Sequence, residues 1–229
     1  MQEVFKVPNH VGFIMDGNGR WATKQNKPRN YGHQKGAENV KNIVSLCFER
    51  GVKVVSLYAF SCENFGRPKE EVDKILNLLQ NFLNKYIKTL IKNEIRLVVS
   101  GDISVFNDNL KKSIINCEEK TSKFTNRTLN IAINYSGKQE IVFAVNNLIK
   151  KGCEITEASI QQELQIRDIP NIDLVIRTSG EQRLSNFFIW QTAYSELYFT
   201  EAFWPEFDEV ELNKALIWYS KRERRFGKL

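Results

Sequence analysis

Short apolar runs recur along the chain, most of them separated by a segment of helical spacing, and this alternation leaves few choices of fold. Val11 to Met15, Val52 to Phe60, Ile95 to Ser100, Thr128 to Asn134, Ile172 to Ile176 and Leu197 to Phe199 read as strands. Helices are expected over Gly32 to Arg50, Pro68 to Lys92, Asn107 to Phe124, Lys138 to Lys150, Thr156 to Leu164 and Asp208 to Lys221. Gly51 is a stop for the first of these, and Pro68, Glu70 and Glu71 suit the first turn of the second. Such alternation predicts an α/β fold, with a mostly parallel central sheet of about six strands flanked by helices. The chain has 229 residues, 42% of them hydrophobic, which suits one domain over residues 1–229 better than two small ones.

Three of the apolar runs end in compact polar clusters: Asp16-Gly17-Asn18-Gly19-Arg20, Ser61-Cys62-Glu63-Asn64-Phe65-Gly66-Arg67 and Arg177-Thr178-Ser179-Gly180-Glu181-Gln182-Arg183-Leu184-Ser185. Loops at the carboxyl ends of parallel strands converge on one crevice, so these clusters are expected to form one anion-binding site. Gly17-x-Gly19-x-x-Ala22 invites comparison with a dinucleotide-binding turn, and a nucleotide-dependent oxidoreductase is one alternative reading. Two features oppose it: no apolar helix face follows promptly, and the Asp16 carboxylate would repel an unshielded pyrophosphate. A carboxylate beside Arg20 suits a Mg²⁺ ion held together with a diphosphate. Arg29 and His33, near the next predicted helix start, add donors for phosphate. Arg177, Arg183 and Ser185 are spaced to clamp a second anion, with Glu181 set to orient the arginines.

Lys plus Arg exceed Asp plus Glu by 33 to 27, a charge of +6 that suits small anions, anionic membranes and nucleic acid alike. The four cysteines, Cys47, Cys62, Cys117 and Cys153, form no CxxC pair and read as reduced thiols of a cytoplasmic protein. The histidines are His10 and His33, so a metal site built on oxygen ligands is favoured over one built on His or Cys. No Walker A lysine motif, HExxH or GxSxG is present. The amino terminus lacks a signal-peptide pattern and no stretch is apolar enough to span a bilayer, so any membrane contact is expected to be peripheral.

The ordered segments His10 to Ala22, Tyr58 to Asn64, Asn130 to Tyr135, Ile176 to Phe187 and Glu196 to Thr200 resemble the motifs of the cis-prenyltransferases, and most closely those of the bacterial members that make undecaprenyl diphosphate. The resemblance spans nearly the whole chain. It implies sequential cis condensation of isopentenyl diphosphate onto an allylic diphosphate, with farnesyl diphosphate the expected primer. A long polyprenyl diphosphate for the cell-wall lipid carrier is formed, diphosphate is released, and Mg²⁺ is required. By motif match Asp16, with Ser61 and Asn64, would be catalytic. The allylic diphosphate would contact Gly17, Asn18, Gly19, Arg20, Trp21, Arg29, His33, Ser61, Glu63, Asn64, Phe65 and Arg67. Isopentenyl diphosphate would be held by Arg177, Arg183, Ser185 and Arg225, the last reaching toward the partner subunit of a homodimer, and Glu196 would join Asp16 at the metal. No nucleic-acid partner is implied.

The sequence departs from the family pattern at Phe65, where Trp is common, and at Gly66, often a polar residue. The all-α trans-prenyltransferases use DDxxD clusters, and this chain has no adjacent Asp pair. A non-catalytic subunit on the same fold would be expected to lack the Asp and Arg sets that are present here. A growing hydrocarbon needs a dry tunnel, for which the apolar stripe of Lys69 to Lys92, with Ala59 and Ile133, is the expected wall.

Overall fold

A computed structural model describes residues 6–223 of the chain. Six strands form one sheet: β1 His10–Ile14, β2 Val54–Ser61, β3 Ile95–Ser100, β4 Arg127–Tyr135, β5 Leu174–Arg177 and β6 Glu196–Phe199. Their order is β3-β4-β2-β1-β5-β6 and every pairing is parallel. Among the described residues seven α-helices flank the sheet: α1 Asn18–Lys24, α2 Arg29–Glu49, α3 Lys69–Lys92, α4 Asp108–Thr121, α5 Gly137–Lys151, α6 Glu157–Glu163 and α7 Glu209–Ser220.

The central strands are covered on both faces, so they read as continuous apolar runs rather than alternating ones. Every residue of β1 is buried. Successive residues still point to opposite faces. Phe13, Val55 and Leu57 join the larger apolar cluster, which includes residues of α2, α3, α4 and α7, while Ile14, Val54 and Tyr58 join the smaller one with Ile166, Phe187 and Phe188.

A chain of buried polar groups crosses four strands. His10 Nδ1 donates to the Pro170 carbonyl at 2.7 Å, which leaves Nε2 to accept from the Ser56 hydroxyl at 2.7 Å. Asn130 Nδ2 donates to Ser56 Oγ at 3.0 Å, and Ser100 Oγ donates to Asn130 Oδ1 at 2.8 Å. The directions are consistent from end to end, so the network is satisfied without a charge.

All six expected strands are present, with ends shifted by a few residues. One helix escapes the sequence pattern. α1 buries only Gly19 and Ala22, too few apolar positions to make a stripe. α2 begins at Arg29, ahead of the expected Gly32, because Pro28 at φ −63° sets the entry to the helix. α3 carries Glu70 and Glu71 in its first turn and Lys92 in its last, as its dipole favours, and buries Val72, Leu79, Leu83 and Leu90. Its 24 residues span roughly 36 Å.

Candidate active site

The three polar loops follow β1, β2 and β5, which are neighbours in the sheet. Ile14 is level with Tyr58 on one side and with Arg177 on the other, so the loops open at one height. The switch point lies at β1, because strands β2 to β4 are added on one side of it and β5 and β6 on the other, and a crevice opens there. A polar cavity of about 410 Å³ lies there, lined by Asp16, Asn18, Arg20, Ser61, Arg67 and Arg177 among others.

Gly17 makes the first turn feasible. Its φ is +93° and a Cβ would lie 2.4 Å from the Phe203 ring, so both conformation and space require glycine. The turn aims the Asp16 carboxylate inward. Its Oδ1 accepts from the Gly17 N–H at 2.6 Å and its Oδ2 from Arg177 Nη2 at 2.9 Å, while Arg20 Nη2 stands 3.5 Å from Oδ1. Burial works to raise the Asp16 pKa, but the Arg177 and Gly17 hydrogen bonds and the charges of Arg177 and Arg20 together outweigh it and hold the pKa below the ordinary value.

Arg177 is only 4% exposed. Its Nη1 donates to Ser185 Oγ at 2.8 Å and to the Arg183 carbonyl, so one guanidinium joins Asp16 to the third loop. Its Nε is buried with no partner among the described residues, a donor left over for an anion. Arg20 and Arg183 both bind Glu181, at 3.0 and 2.6 Å, and Arg20 also donates to Ser179 Oγ at 2.6 Å. In the second loop, the Ser61 N–H donates to Asn64 Oδ1 at 3.3 Å, a capping-box arrangement that fixes both residues toward the cavity.

An apolar cavity of about 110 Å³ adjoins the polar one. It runs between the sheet and α3, past Leu57, Ile131 and Ile133 on one side and Leu78, Leu79 and Phe82 on the other. Met15, Asn18, His33, Tyr58, Ala59 and Ile75 line both spaces. Ala59 sits in a β-bulge: Tyr58 pairs with Ala132 and Phe60 with Ile133, leaving Ala59 as the extra residue. Such a bulge bends a strand and re-aims its side chains beside a site.

Both the sequence and the fold recur in known proteins. The Prenyltransf family model, described as "Putative undecaprenyl diphosphate synthase", matches residues 14–227. The chain belongs to this family. An isoprenyl transferase of Fusobacterium nucleatum is 48% identical over 222 residues, 96% of each chain. The (2E,6E)-farnesyl-diphosphate-specific ditrans,polycis-undecaprenyl-diphosphate synthase of Vibrio parahaemolyticus is 46% identical over 228 residues, 96% of this chain and 91% of the other. Lavandulyl diphosphate synthase from Lavandula x intermedia, solved in complex with dimethylallyl diphosphate, superimposes with a TM-score of 0.92 at 35% identity, covering 97% of this chain and 99% of the other. The structure named "probable undecaprenyl diphosphate synthase" from Campylobacter jejuni gives 0.84 at 33%, covering 97% and 100%. The protein is thus a prenyl-transferring enzyme of the undecaprenyl diphosphate synthase family, with the fold of its solved relatives.

Not every residue expected at the site lines the polar cavity. Gly17, Gly19, Arg29 and His33 line the polar cavity with Asp16, Asn18, Arg20, Ser61, Asn64, Arg67, Arg177 and Ser185. Trp21 does not: its indole donates to Glu206 at 2.8 Å and stacks on Tyr31, pinning α1 to its neighbours. Glu63 accepts from Asn186 at 3.2 Å, and Phe65 is 44% exposed with its ring against Phe60. Arg183 contributes its carbonyl to Arg177 while its side chain pairs with Glu181. Arg225 lies outside the described residues.

Glu196 does not line the polar cavity of this chain. It opens β6 level with Leu174, whereas the site lies beyond Arg177, which is level with Phe199. At about 3.3 Å per residue it falls roughly 10 Å short. Its carboxylate accepts from Arg222 Nε at 3.0 Å, so Asp16 and Glu196 do not meet within one chain. The His33 pKa is lowered, chiefly by burial, so the imidazole is neutral at pH 7, and its Nε2–H donates to Glu71 Oε1 at 3.2 Å. Tyr58, Thr178 and Glu71 belong to the framework around the cavity, a role that their places in the sequence do not announce. Thr178 Oγ1 bonds the Asp16 backbone carbonyl at 2.7 Å, and the Tyr58 hydroxyl donates between the Tyr135 and Ser185 carbonyls at 3.2 and 3.3 Å.

The donor set fits Mg²⁺. Asp16 is the one carboxylate lining the polar cavity, and Mg²⁺ favours one or two carboxylates together with water and substrate phosphates over an all-protein cage. Among the described residues no cluster of three or more His, Cys, Asp or Glu side chains could hold a metal alone.

Proposed function

We propose that the chain condenses isopentenyl diphosphate repeatedly, in cis, onto an allylic primer, farnesyl diphosphate, to give undecaprenyl diphosphate. The observation that carries this reading is the pair of adjoining cavities: a charged one for diphosphate groups, and an apolar one between sheet and α3 for the hydrocarbon. In each cycle the allylic carbon–oxygen bond breaks and diphosphate leaves. The isopentenyl alkene forms the new carbon–carbon bond, and a proton is lost to restore a double bond.

The loop after β1, with Arg29 and Arg67, holds the diphosphate that leaves. Mg²⁺, held by Asp16 and substrate phosphate, would supply charge neutralisation for that departure. Arg20 and the loop amides act in the same sense, and removing one such donor from a water-poor site typically costs about 10²–10³ in rate. Arg177 and Ser185 hold the diphosphate that stays, which fixes the alkene against the allylic carbon. Because Arg177 also bonds Asp16, the two diphosphate positions share one support. Ser61 and Asn64 lie between them, where the proton departs.

The working assembly is a homodimer, for which the exposed Val142, Phe143, Ile149 and Tyr194 supply apolar surface. The enzyme works in the cytoplasm with its contact to membrane peripheral; among the described residues no helix is long and apolar enough to cross one. Incubation with farnesyl diphosphate, labelled isopentenyl diphosphate and Mg²⁺ should yield butanol-extractable polyprenyl diphosphate. Asp16→Ala should lower the yield by a factor of about 10² or more. No product from the native chain, or equal product from the variant, defeats the assignment.

A further inference from the structure

Three side chains that line the polar cavity, two at the start of α2 and one in the loop after β2, converge on one carboxylate outside it. Glu71 Oε1 accepts from His33 Nε2 at 3.2 Å and from Arg67 Nη1 at 3.1 Å, and Glu71 Oε2 lies 3.5 Å from Arg29 Nε. Glu71 stands in the first turn of α3, and its side chain is 13% exposed. Burial acts to raise its pKa, but Arg29, Arg67 and His33 together hold it below the ordinary value, so it is an anion. It does not line the cavity, whereas its three partners do.

We propose that Glu71 is a positioning residue for the diphosphate that leaves, acting through Arg29 and Arg67, while His33, which spends its one ring N–H on Glu71, helps to fix the carboxylate. The alternative, an internal anion that occupies the phosphate position until substrate displaces it, would put the carboxylate on the cavity wall. Glu71 instead grips its partners from behind. Arg29 meets it through Nε, which leaves both terminal nitrogens unspent, and the face of that guanidinium packs on Gly19, where a Cβ would come 2.7 Å from Cζ. Arg67 meets it through one terminal nitrogen only. A guanidinium fork has five N–H donors in fixed geometry, so anchoring one or two of them aims the rest. Glu71 also relieves the mutual repulsion of Arg29 and Arg67, which would otherwise splay the loop after β2 away from the start of α2.

The same contact ties the head-group site to the hydrocarbon wall. Ile75, Leu78, Leu79 and Phe82, in the turns of α3 that follow Glu71, line the apolar cavity. A residue that fixes the first turn of α3 therefore sets both the arginine pair and the entrance through which the chain passes.

This inference rests on the assignment of the loop after β1 to the allylic diphosphate, and calorimetry separates the two. In Glu71→Gln, the dissociation constant of a non-reactive farnesyl diphosphate analogue should rise about tenfold, equal to about 1.4 kcal/mol. That of isopentenyl diphosphate should stay within about twofold, since Arg177 and Ser185 do not touch Glu71. In a chain that already carries Arg29→Ala and Arg67→Ala, adding Glu71→Gln should change the analogue's affinity by less than about twofold, because the groups it acts through are gone. Should Glu71→Gln fold poorly, Glu71→Asp, which keeps the charge but shortens the reach, should show a smaller rise confined to the same ligand. Unchanged or tighter analogue binding in Glu71→Gln, an equal loss for both diphosphates, or full additivity with the arginine changes overturns the proposal. Failure of the native chain to bind the analogue would instead overturn the assignment of the site.

Discussion

Lowering the pH from 8 to 5 should cost the folded protein about 2 kcal/mol through His10 alone. The imidazole is 0% exposed and packed between the Pro170 carbonyl and Ser56, a place with no water to solvate a charge. Burial lowers its pKa from 6.5 to about 4, against the opposing pull of the Pro170 hydrogen bond and the Asp173 charge. At pH 5 an unfolded chain holds nearly a full proton on this side chain, whereas the folded one holds about a tenth. Unfolding therefore takes up a proton, and stability falls as pH falls through the window between 6.5 and about 4. Integrated to the bottom of the window, at about 1.36 kcal/mol per unit, the loss reaches about 3 kcal/mol. For a chain of this size the loss at pH 5 corresponds to about 4–8 °C in melting temperature. Urea denaturation at pH 8 and pH 5 measures it. His33, the other histidine, is shifted in the same direction and adds to the same slope, so His33→Gln serves as the control. His10→Gln should be less stable than the native chain at pH 8 but should lose about 2 kcal/mol less on acidification. A variant that keeps the full native slope, or a His10 ring resonance that titrates near 6.5, refutes the reasoning.

Arg177→Lys keeps the charge but cannot span Asp16, Ser185 and the Arg183 carbonyl at once; losing one or two charge-assisted bonds should lower kcat/KM for isopentenyl diphosphate by about a hundredfold, and a change under threefold counts against the clamp. Ala59→Leu places a larger side chain at the bulge where the two cavities meet, and product analysis should show shorter polyprenyl chains at comparable primer affinity; an unchanged length distribution removes Ala59 from the tunnel.

The strands, most of the helices and the loops that line the polar cavity can be read from residue order alone. Strands covered on both faces must be apolar throughout, and an amphipathic helix such as α3 must repeat its apolar positions every third or fourth residue, so both are written in local order. The polar clusters stood out because a buried strand ends where charge begins. Asp16, Arg177 and Ser185 were legible for that reason, as were Ser61 and Asn64, whose three-residue spacing is itself a local hydrogen-bonding pattern.

Everything that depends on which elements become neighbours was decided by the tertiary structure. That β5, the fifth strand in sequence, lies against β1 is what brings Arg177 to Asp16 across 161 residues. The Ala59 bulge exists only in the pairing of β2 with β4, and no pattern within β2 announces it. Glu71 reads in sequence as a helix-start acid, and only the approach of α2 to the start of α3 makes it the meeting point of Arg29, His33 and Arg67. The position of Glu196 is likewise set by strand register, which places it three residues before Phe199, the residue level with Arg177. Periodicity reports what each residue must be buried against or exposed to; it carries no information on the distance between two loops, which is fixed by the sheet that packs them.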